Sequence, residues 1–328
     1  MPPSLAQQVA VDKLPGGDGG DEFVSRELPI RLGNALPIAY GGCAIANAVS
    51  AACATVPARV HLYSVLGNFL GPALTDRKLY CSVHRTRDTR SFSTRRVQVS
   101  QRLDGGERRV CLELLADFHA DEPSTLEYSA RPAAAYAPPH NCPGLEEQMG
   151  ILRSQGLVSD GEAAEFQRSL GAQAHYWDMR YCANGVAGQN LAGVLKSAPT
   201  TQDGLRPTEK VSAEWQRARE ALASEAENMA ALAFLMDAAI SFVPLTHGNM
   251  WFDDAAACSS LDFALRVFAP GVDMRRWTLR ERGVSRAGMG RSYGEALLWD
   301  DKGNLLASMT QQSILRLKKG VTPPKASL

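Results

Sequence analysis

The chain has no excess of charge of either sign, since 35 basic and 35 acidic residues cancel over 328 positions. No overall field therefore favours nucleic acid or an anionic membrane surface, and we expect neither as a partner. Cysteine is sparse and dispersed, with seven residues and no C-x-x-C spacing. This odd, scattered set argues against a disulfide framework and fits a reducing compartment, so we expect a cytoplasmic protein. The terminal Ala-Ser-Leu resembles a peroxisomal signal only loosely and leaves that location open.

Several catalytic and cofactor motifs are missing. The chain has no G-x-S-x-G elbow of an α/β-hydrolase, no Walker loop and no H-E-x-x-H zinc motif. The six histidines lie far apart in the sequence, which is more typical of surface or core residues than of metal ligands. The G-x-G-R segment from Gly288 to Arg291 is flanked by strand patterns, which does not fit a dinucleotide-binding turn. We therefore expect an activity that needs no metal and no cofactor.

One uncharged run invites comparison with a membrane span. It extends from Ala39 to Ala58, but it is built from Ala, Gly, Ser, Asn and Thr and is too weakly apolar to insert. The N-terminus has no basic segment followed by an apolar core, so it is not a secretory signal. We expect no membrane span, a disordered leader over residues 1–20 and a short tail over residues 321–328.

The first half of the chain combines a buried helix with long strands. The small, uncharged residues from Gly42 to Thr55 predict a helix buried on every face, which Pro57 ends. Further on, a period-two pattern predicts a strand through Val110, Leu112, Leu114, Ala116 and Phe118. A hairpin turn at Asp104-Gly105-Gly106 precedes it.

The second half repeats this order. A stripe at helical spacing predicts a second helix ending near Asp237, and it consists of Met229, Leu232, Ala233, Met236 and Ile240. Strand patterns follow, and the last one turns at Asp301-Lys302-Gly303-Asn304. Helix, strands and terminal hairpin given twice predict an α+β double hotdog, two fused units that each wrap an antiparallel sheet around a central helix. We place the units at residues 21–121 and 175–320, with a linker over residues 122–174.

Asp237 stands out because its surroundings, ALAFLMDAAISFVPL, are otherwise uncharged. Burial and the negative end of the helix dipole would both raise the pKa of this carboxyl toward the range of a general base. A solvated Asp on an open helix face, or a capping residue, explains the pattern equally well. The residues alone leave these alternatives open.

The sequence resembles the type II acyl-CoA thioesterases, a double-hotdog family. The resemblance covers residues 36–317 and rests on segments in the family's order: YGGCAIANAVSAACATVP, N-F-L-G-P at Asn68 to Pro72, RDTRSFSTRRVQVSQ, ALAFLMD, SSLDFALRVF, GMGRS and GNLLASMTQQSILR. The R-D-x-R-S-F-x-T-R-x-V string is the most specific, and Leu-Ala-Ser-x-x-Gln is next.

The resemblance implies a catalytic trio of Asp237, Ser260 and Gln311. In such enzymes these residues together hold and activate a water that attacks the thioester carbonyl, without an acyl-enzyme and without a cofactor. The implied substrate is an acyl-CoA or a carrier-bound acyl thioester. A homo-oligomer is left open.

Three positions depart from the family's pattern. Phe263 follows the Leu-Asp pair where the family usually has His, and Tyr63 and Leu66 replace two further histidines. We interpret these changes as a more apolar acyl pocket for a specialised biosynthetic substrate. The arginines of HRTRDTRSFSTRR and MRRWTLRER are candidates to bind the coenzyme A phosphates, although a solvated basic strand face is at least as plausible for each.

Two other functions stay open from the sequence. The fold could release, cyclise or dehydrate a polyketide-like intermediate, with Asp237 acting as a base on carbon or oxygen. A non-catalytic acyl-binding protein would also keep the fold. Release of free thiol from acyl-CoAs separates thioester hydrolysis from both.

Overall fold

The computed structural model describes residues 2–15, 20–33 and 36–322. The strands of this part of the chain are β1 Val11–Lys13, β2 Asp21–Ser25, β3 Val60–Phe69, β4 Tyr80–Asp88, β5 Phe92–Arg102, β6 Arg108–Ala120, β7 Trp177–Tyr181, β8 Ser212–Ala218, β9 Ala255–Val267, β10 Thr278–Gly288, β11 Arg291–Asp300 and β12 Leu305–Leu317. The α-helices are α1 Leu5–Val9, α2 Gly41–Cys53, α3 Leu145–Ser154, α4 Asp160–Leu170, α5 Gln173–Tyr176, α6 Val186–Gln189, α7 Glu225–Met236 and α8 Val243–His247. Most of the predicted tail lies outside the described residues.

The same order of elements occurs twice. In the first half β2 leads into α2 and then β3 to β6, and in the second β8 leads into α7 and then β9 to β12. The sheet order is β1-β2-β4-β5-β6-β3-β9-β12-β11-β10-β8-β7. Counted from the outer edge of the sheet, the five repeated strands have the same order in each half, and one additional strand, β1 or β7, lies at each edge. The predicted α+β double hotdog is confirmed.

The two hotdog units share a single sheet. We expected a separate sheet in each unit, but β3 pairs with β9 in antiparallel register from Ser64↔Arg266 to Asn68↔Asp262. Joining the two strands satisfies backbone groups that would otherwise form two exposed edges. This register also brings the end of β3 close to the part of β9 that carries Ser260.

The two central helices pack against each other on one face of this sheet. Helix α2 spans Gly41–Cys53, close to the predicted range, and its small residues are almost all buried. Helix α7 ends at Met236 with Asp237 as its C-cap, as predicted, and every residue from Asn228 to Met236 is buried. Neither helix has a polar face because sheet and partner helix surround it.

The predicted disordered leader is wrong for residues 5–13. Ser4 caps α1 through a reciprocal hydrogen-bond pair with Gln7, and β1 pairs with β2. Leu5 and Val9 are buried against the central helices because they lie four residues apart on one helix face. Two apolar residues are too short a pattern to predict a helix. Residues 16–19 lie outside the described residues.

The predicted linker, residues 122–174, packs onto the second unit. The backbone carbonyls of Ala130 and Ala137 accept hydrogen bonds from the indole N–H groups of Trp299 and Trp215. Helices α3 and α4 contribute buried residues to a cluster with Leu191, Leu245 and Trp251. This segment therefore belongs to the packed structure and is more than a tether.

Among the described residues one segment, Glu225–His247, is long and apolar enough to cross a membrane, with a mean hydropathy of 1.8. It comprises α7, α8 and the turns between them. Within the protein, 83 % of its apolar window is buried. Such burial is the property of a core helix.

Candidate active site

Asp237 lies where the end of one central helix meets the start of the other. The backbone N–H of Gly42, in the first turn of α2, donates a hydrogen bond to the Asp237 carboxylate. A Cβ atom on Gly41 would lie 2.9 Å from Oδ2 of Asp237, so glycine is required for this close approach. The Asp237 side chain is 5 % exposed. It is therefore a buried carboxylate at the N-terminus of α2, and the alternative of a solvated Asp is excluded.

The predicted trio forms a continuous row of hydrogen bonds. The side-chain amide of Gln311, on β12, donates to Oδ1 of Asp237. The hydroxyl of Ser260, on β9, donates to the amide oxygen of Gln311 at 3.1 Å. β9 and β12 are neighbours in the sheet, which explains why residues 51 positions apart meet. The structure thus brings all three predicted site residues together.

Burial raises the pKa of Asp237 from 3.8 to about 6, although the hydrogen bonds from Gln311 and Gly42 act in the opposite direction. The predicted direction is therefore found in the structure, and desolvation is its main cause. A carboxyl with this pKa is ionised near neutral pH and still basic enough to accept a proton.

A cavity of about 460 Å³ opens onto this row. Its wall includes Asp237, Ser260 and the first turn of α2, and the rest is largely apolar. Four aromatic residues, Tyr40, Phe69, Phe242 and Phe252, are part of that wall. No Lys or Arg is among the described residues that line it. The space fits an apolar group beside the Asp237 carboxylate.

Two residues for which the sequence predicted no such role hold the end of α7. The guanidinium of Arg280, on β10, donates to the carbonyls of Leu235 and Ala238, on either side of Asp237. The hydroxyl of Tyr40 donates to the carbonyl of Phe234. A cation on the last carbonyls opposes the negative end of the helix dipole. Burial is therefore the main cause of the raised pKa of Asp237, and Arg280 counters the contribution that we expected from the helix dipole.

The three departures from the family's pattern have different surroundings. Phe263 is buried beside Phe69, with ring centroids 5.7 Å apart, and thus lies behind a cavity residue. Tyr63 instead packs near the rings of Phe92 and His119. Leu66 is 39 % exposed. The expectation that Tyr63 and Leu66 shape the acyl pocket is therefore wrong, because neither is among the described residues that line the cavity. An irregularity in β3 between Leu62 and Ser64 interrupts the alternation of its side chains, so Tyr63 does not share a face with Phe69.

Several arginines considered as coenzyme A ligands are buried instead. Arg95 is 1 % exposed and donates to Thr55 and Asp88. Arg280 and Arg282 share the carboxylate of the fully buried Glu214. These three arginines are committed to internal contacts and are not available for phosphates. Period-two patterning cannot distinguish a buried arginine from a solvated one.

The part of the chain that the structure describes contains no group of three or more His, Cys, Asp or Glu residues that could hold a metal ion. Cys111 and Cys258 line the cavity, and both thiols are free. Burial raises the pKa of Cys258 to about 12 and raises that of Cys111. Neither thiol is a reactive thiolate at neutral pH.

Comparison with known proteins decides the family. The model of the acyl-CoA thioesterase N-terminal domain matches residues 29–119, and that of the C-terminal domain matches residues 159–315. The chain belongs to the type II acyl-CoA thioesterase family. As a member it is a thioester hydrolase. The C-terminal match begins inside the segment predicted as a linker, in keeping with the packing of α4 on the second unit.

Individual relatives agree with this family. Human acyl-coenzyme A thioesterase 8 is 25 % identical over 289 residues, which cover 87 % of this chain and 83 % of the human protein. The acyl-CoA thioesterase II TesB2 from Mycobacterium marinum is similar in structure, with a TM-score of 0.67 and 22 % identity over 97 % of this chain and all of that one. A hot dog fold protein from Alicyclobacillus acidocaldarius gives a TM-score of 0.65 at 16 % identity, with 96 % and 98 % covered. These structures support the double-hotdog fold.

Proposed function

We propose that the chain hydrolyses acyl-CoA thioesters with a water molecule that Asp237 activates. The observation that carries this proposal is the hydrogen-bonded row from Ser260 through Gln311 to Asp237, of which the two end residues, Ser260 and Asp237, line the cavity. The raised pKa of Asp237 supports its role as the base. An acyl thioester on a carrier protein would react in the same way, and we propose a cytoplasmic location for the enzyme.

Hydrogen-bond direction assigns a role to each member of the row. An ionised carboxylate only accepts, so the NH2 of Gln311 faces Asp237 and its carbonyl oxygen faces Ser260. The Ser260 hydroxyl therefore donates a hydrogen bond to the carbonyl oxygen of Gln311, and the Ser260 oxygen can accept a hydrogen bond from another donor. A water that donates one proton to Asp237 and the other to Ser260 directs a lone pair at the thioester carbon. Asp237 then takes the proton as the carbon–oxygen bond forms. The tetrahedral intermediate collapses with cleavage of the carbon–sulfur bond, and the departing thiolate takes up a proton, which restores the Asp237 carboxylate.

Ser260 is poorly suited to act as a nucleophile. Its hydroxyl donates to an amide oxygen, which is too weak a base to remove the proton. The Gln311 side chain lies between Ser260 and the Asp237 carboxylate. A serine nucleophile needs a base in direct hydrogen-bond contact. Direct attack by water is therefore the route that this geometry favours.

The start of α2 is suited to bind the thioester carbonyl oxygen. Gly41 and Ala44 line the cavity next to Asp237. The N–H of Gly42 already donates to Asp237, and that of Cys43 donates to a backbone carbonyl. The candidate donor is therefore the N–H of Gly41. A backbone N–H in the first turn of a helix can face a ligand, and the helix dipole favours negative charge there. As water attacks, charge grows on the carbonyl oxygen, and donors in this position stabilise it.

The cavity supports a specialised acyl group. Phe69, Phe242 and Phe252 form part of its wall, and Phe263 stands behind Phe69. An aromatic wall without basic residues favours an apolar, bulky or aromatic acyl group over a charged one. We place such a substrate in a biosynthetic pathway.

A panel of straight-chain, branched and aromatic acyl-CoAs, assayed for free thiol, tests the proposal. We expect thiol release, with the bulky or aromatic substrates giving the higher kcat/KM. Turnover without thiol release would indicate the dehydrating or cyclising reaction. Binding without turnover would contradict an enzymatic role altogether.

A further inference from the structure

A second, smaller cavity lies beside the first in the interior of the second unit. Its volume is about 30 Å³, and Ala239 and Phe242 contribute to the walls of both cavities. Arg280, Arg282 and Tyr181 also line it. The proposed hydrolysis makes no use of this space. It is about the volume that one water molecule occupies in the liquid, which suits a single small ligand.

The side chains at this cavity carry an unbalanced positive charge. Arg280 and Arg282 are 1 % and 6 % exposed, and both bond to Glu214. One carboxylate between two guanidinium groups leaves one positive charge. Asp237 does not neutralise it by direct contact, because its hydrogen bonds are to Gln311 and Gly42. A buried charge that has no counter-ion in direct contact is unfavourable in a protein interior.

Neighbouring groups do not offset this charge. Lys210 is buried and donates to the backbone carbonyl of His247, and its charge is opposed by that of Asp203. Burial lowers the pKa of His247 to about 3, so this imidazole is neutral and supplies no negative charge. Burial also lowers the pKa of Arg280, and the charge of Arg282 contributes to that lowering. The two guanidinium groups thus repel each other with a single carboxylate between them.

Arg282 also has an unused donor. Its Nε atom is buried and has no hydrogen-bond partner among the described residues. Tyr181 is 6 % exposed, and burial raises its pKa, so its hydroxyl remains protonated. A buried donor without a partner is unfavourable by about 1–3 kcal/mol, more for a charged group. A negatively charged ligand that accepts hydrogen bonds would bond to the Nε–H of Arg282 and would also balance the positive charge of the two guanidinium groups.

We propose that this second cavity binds one small inorganic anion, such as chloride, held by Arg282 and Arg280 beside Tyr181. A water molecule would fit the space, but it would leave the positive charge in place. The anion would complete a buried network that also holds Leu235 and Ala238 beside the catalytic carboxylate. The site is independent of whether the chain hydrolyses thioesters.

Thermal unfolding in sodium chloride and in sodium gluconate of equal ionic strength tests the proposal. A ligand that binds the folded state alone raises the Tm, and we expect about 4 °C more in about 0.3 M chloride than in gluconate. Arg282→Gln should abolish the difference. Arg286→Gln, an exposed position on the same strand, should retain it. An equal Tm in both salts, or an unchanged difference in Arg282→Gln, overturns the proposal.

Diffraction from crystals of the unaltered protein grown in bromide gives a readout that survives if Arg282→Gln fails to fold. We expect an anomalous peak within hydrogen-bonding reach of the Arg282 guanidinium. A map with density for a water only, and no anomalous signal at this cavity, overturns the proposal whatever the enzymatic activity.

Discussion

Gln311 donates a hydrogen bond to Asp237 across the interface between the last strand and the second central helix. This bond lowers the pKa of Asp237, while burial raises it to about 6. The base must be ionised, so kcat/KM should fall about tenfold for each pH unit below about 6. A pH–rate profile checks this limb. A rate that stays flat down to pH 4 would contradict the assignment of the base.

Gln311→Ala removes a donor to the carboxylate, so the acid limb should move to higher pH by about one unit. Its neighbour Gln312 provides a matched control, because it lies on the opposite face of β12 and bonds to Asp262. Gln312→Ala should leave the limb in place. Equal profiles for the two variants would exclude Gln311 from the site.

Stability should depend on the ionisation of Asp237. Its pKa in the folded protein lies above the usual 3.8, so the folded state holds the proton more tightly than the unfolded chain. The resulting stabilisation is complete below pH 3.8 and is lost as pH rises through about 6, by about 3 kcal/mol in all. Asp237→Asn should therefore gain stability relative to the unaltered protein between pH 4 and 8. Urea unfolding of both proteins at pH 4 and at pH 8 measures this gain. If their difference in the free energy of unfolding is the same at the two pH values, the Asp237 carboxyl is not desolvated.

Arg280 should act by positioning the end of α7. Arg280→Lys keeps a positive charge, but one ammonium group cannot reproduce the fork to Leu235, Ala238 and Glu214. We expect kcat to fall about tenfold with little change in KM, because a misplaced base slows proton transfer more than binding. Arg286→Lys, exposed on the same strand, is the control. A normal kcat in a folded Arg280→Lys enzyme would remove Arg280 from this role.

Acyl selectivity should respond to Phe69. Phe69→Ala enlarges the cavity next to the site and removes the ring against which Phe263 packs, so kcat/KM should shift toward bulkier acyl-CoAs by about tenfold. Phe263→His should shift the preference in kcat/KM between bulky and straight-chain acyl-CoAs by less, because Phe263 contacts the cavity only through Phe69. Phe268→Ala, at an exposed position near the end of β9, is the control. Identical selectivity in all three variants would show that the cavity does not hold the acyl group.

Much of the site could be predicted from the sequence because its residues occur in segments that resemble a known family. Asp237 was also evident as a lone charge in an apolar helix. Arg280 and Tyr40 were not, because an alternating strand pattern looks the same whether its arginines are solvated or inserted below a helix end. Tyr63 and Leu66 were misjudged since substitution patterns do not tell which face of a strand a residue occupies. The leader was missed because its helix depends on tertiary contacts made by only two apolar residues.

The central claim is tested most directly by thiol release from acyl-CoA in Asp237→Asn compared with Asp262→Asn. Asp262 is the matched control, because its carboxylate also accepts a hydrogen bond from a glutamine side chain of β12, that of Gln312 instead of Gln311. Asn keeps the shape of the side chain and removes its basicity, so kcat should fall by about a hundredfold or more in Asp237→Asn alone. Folded Asp237→Asn enzyme that releases thiol as fast as Asp262→Asn would contradict the activation of water by Asp237.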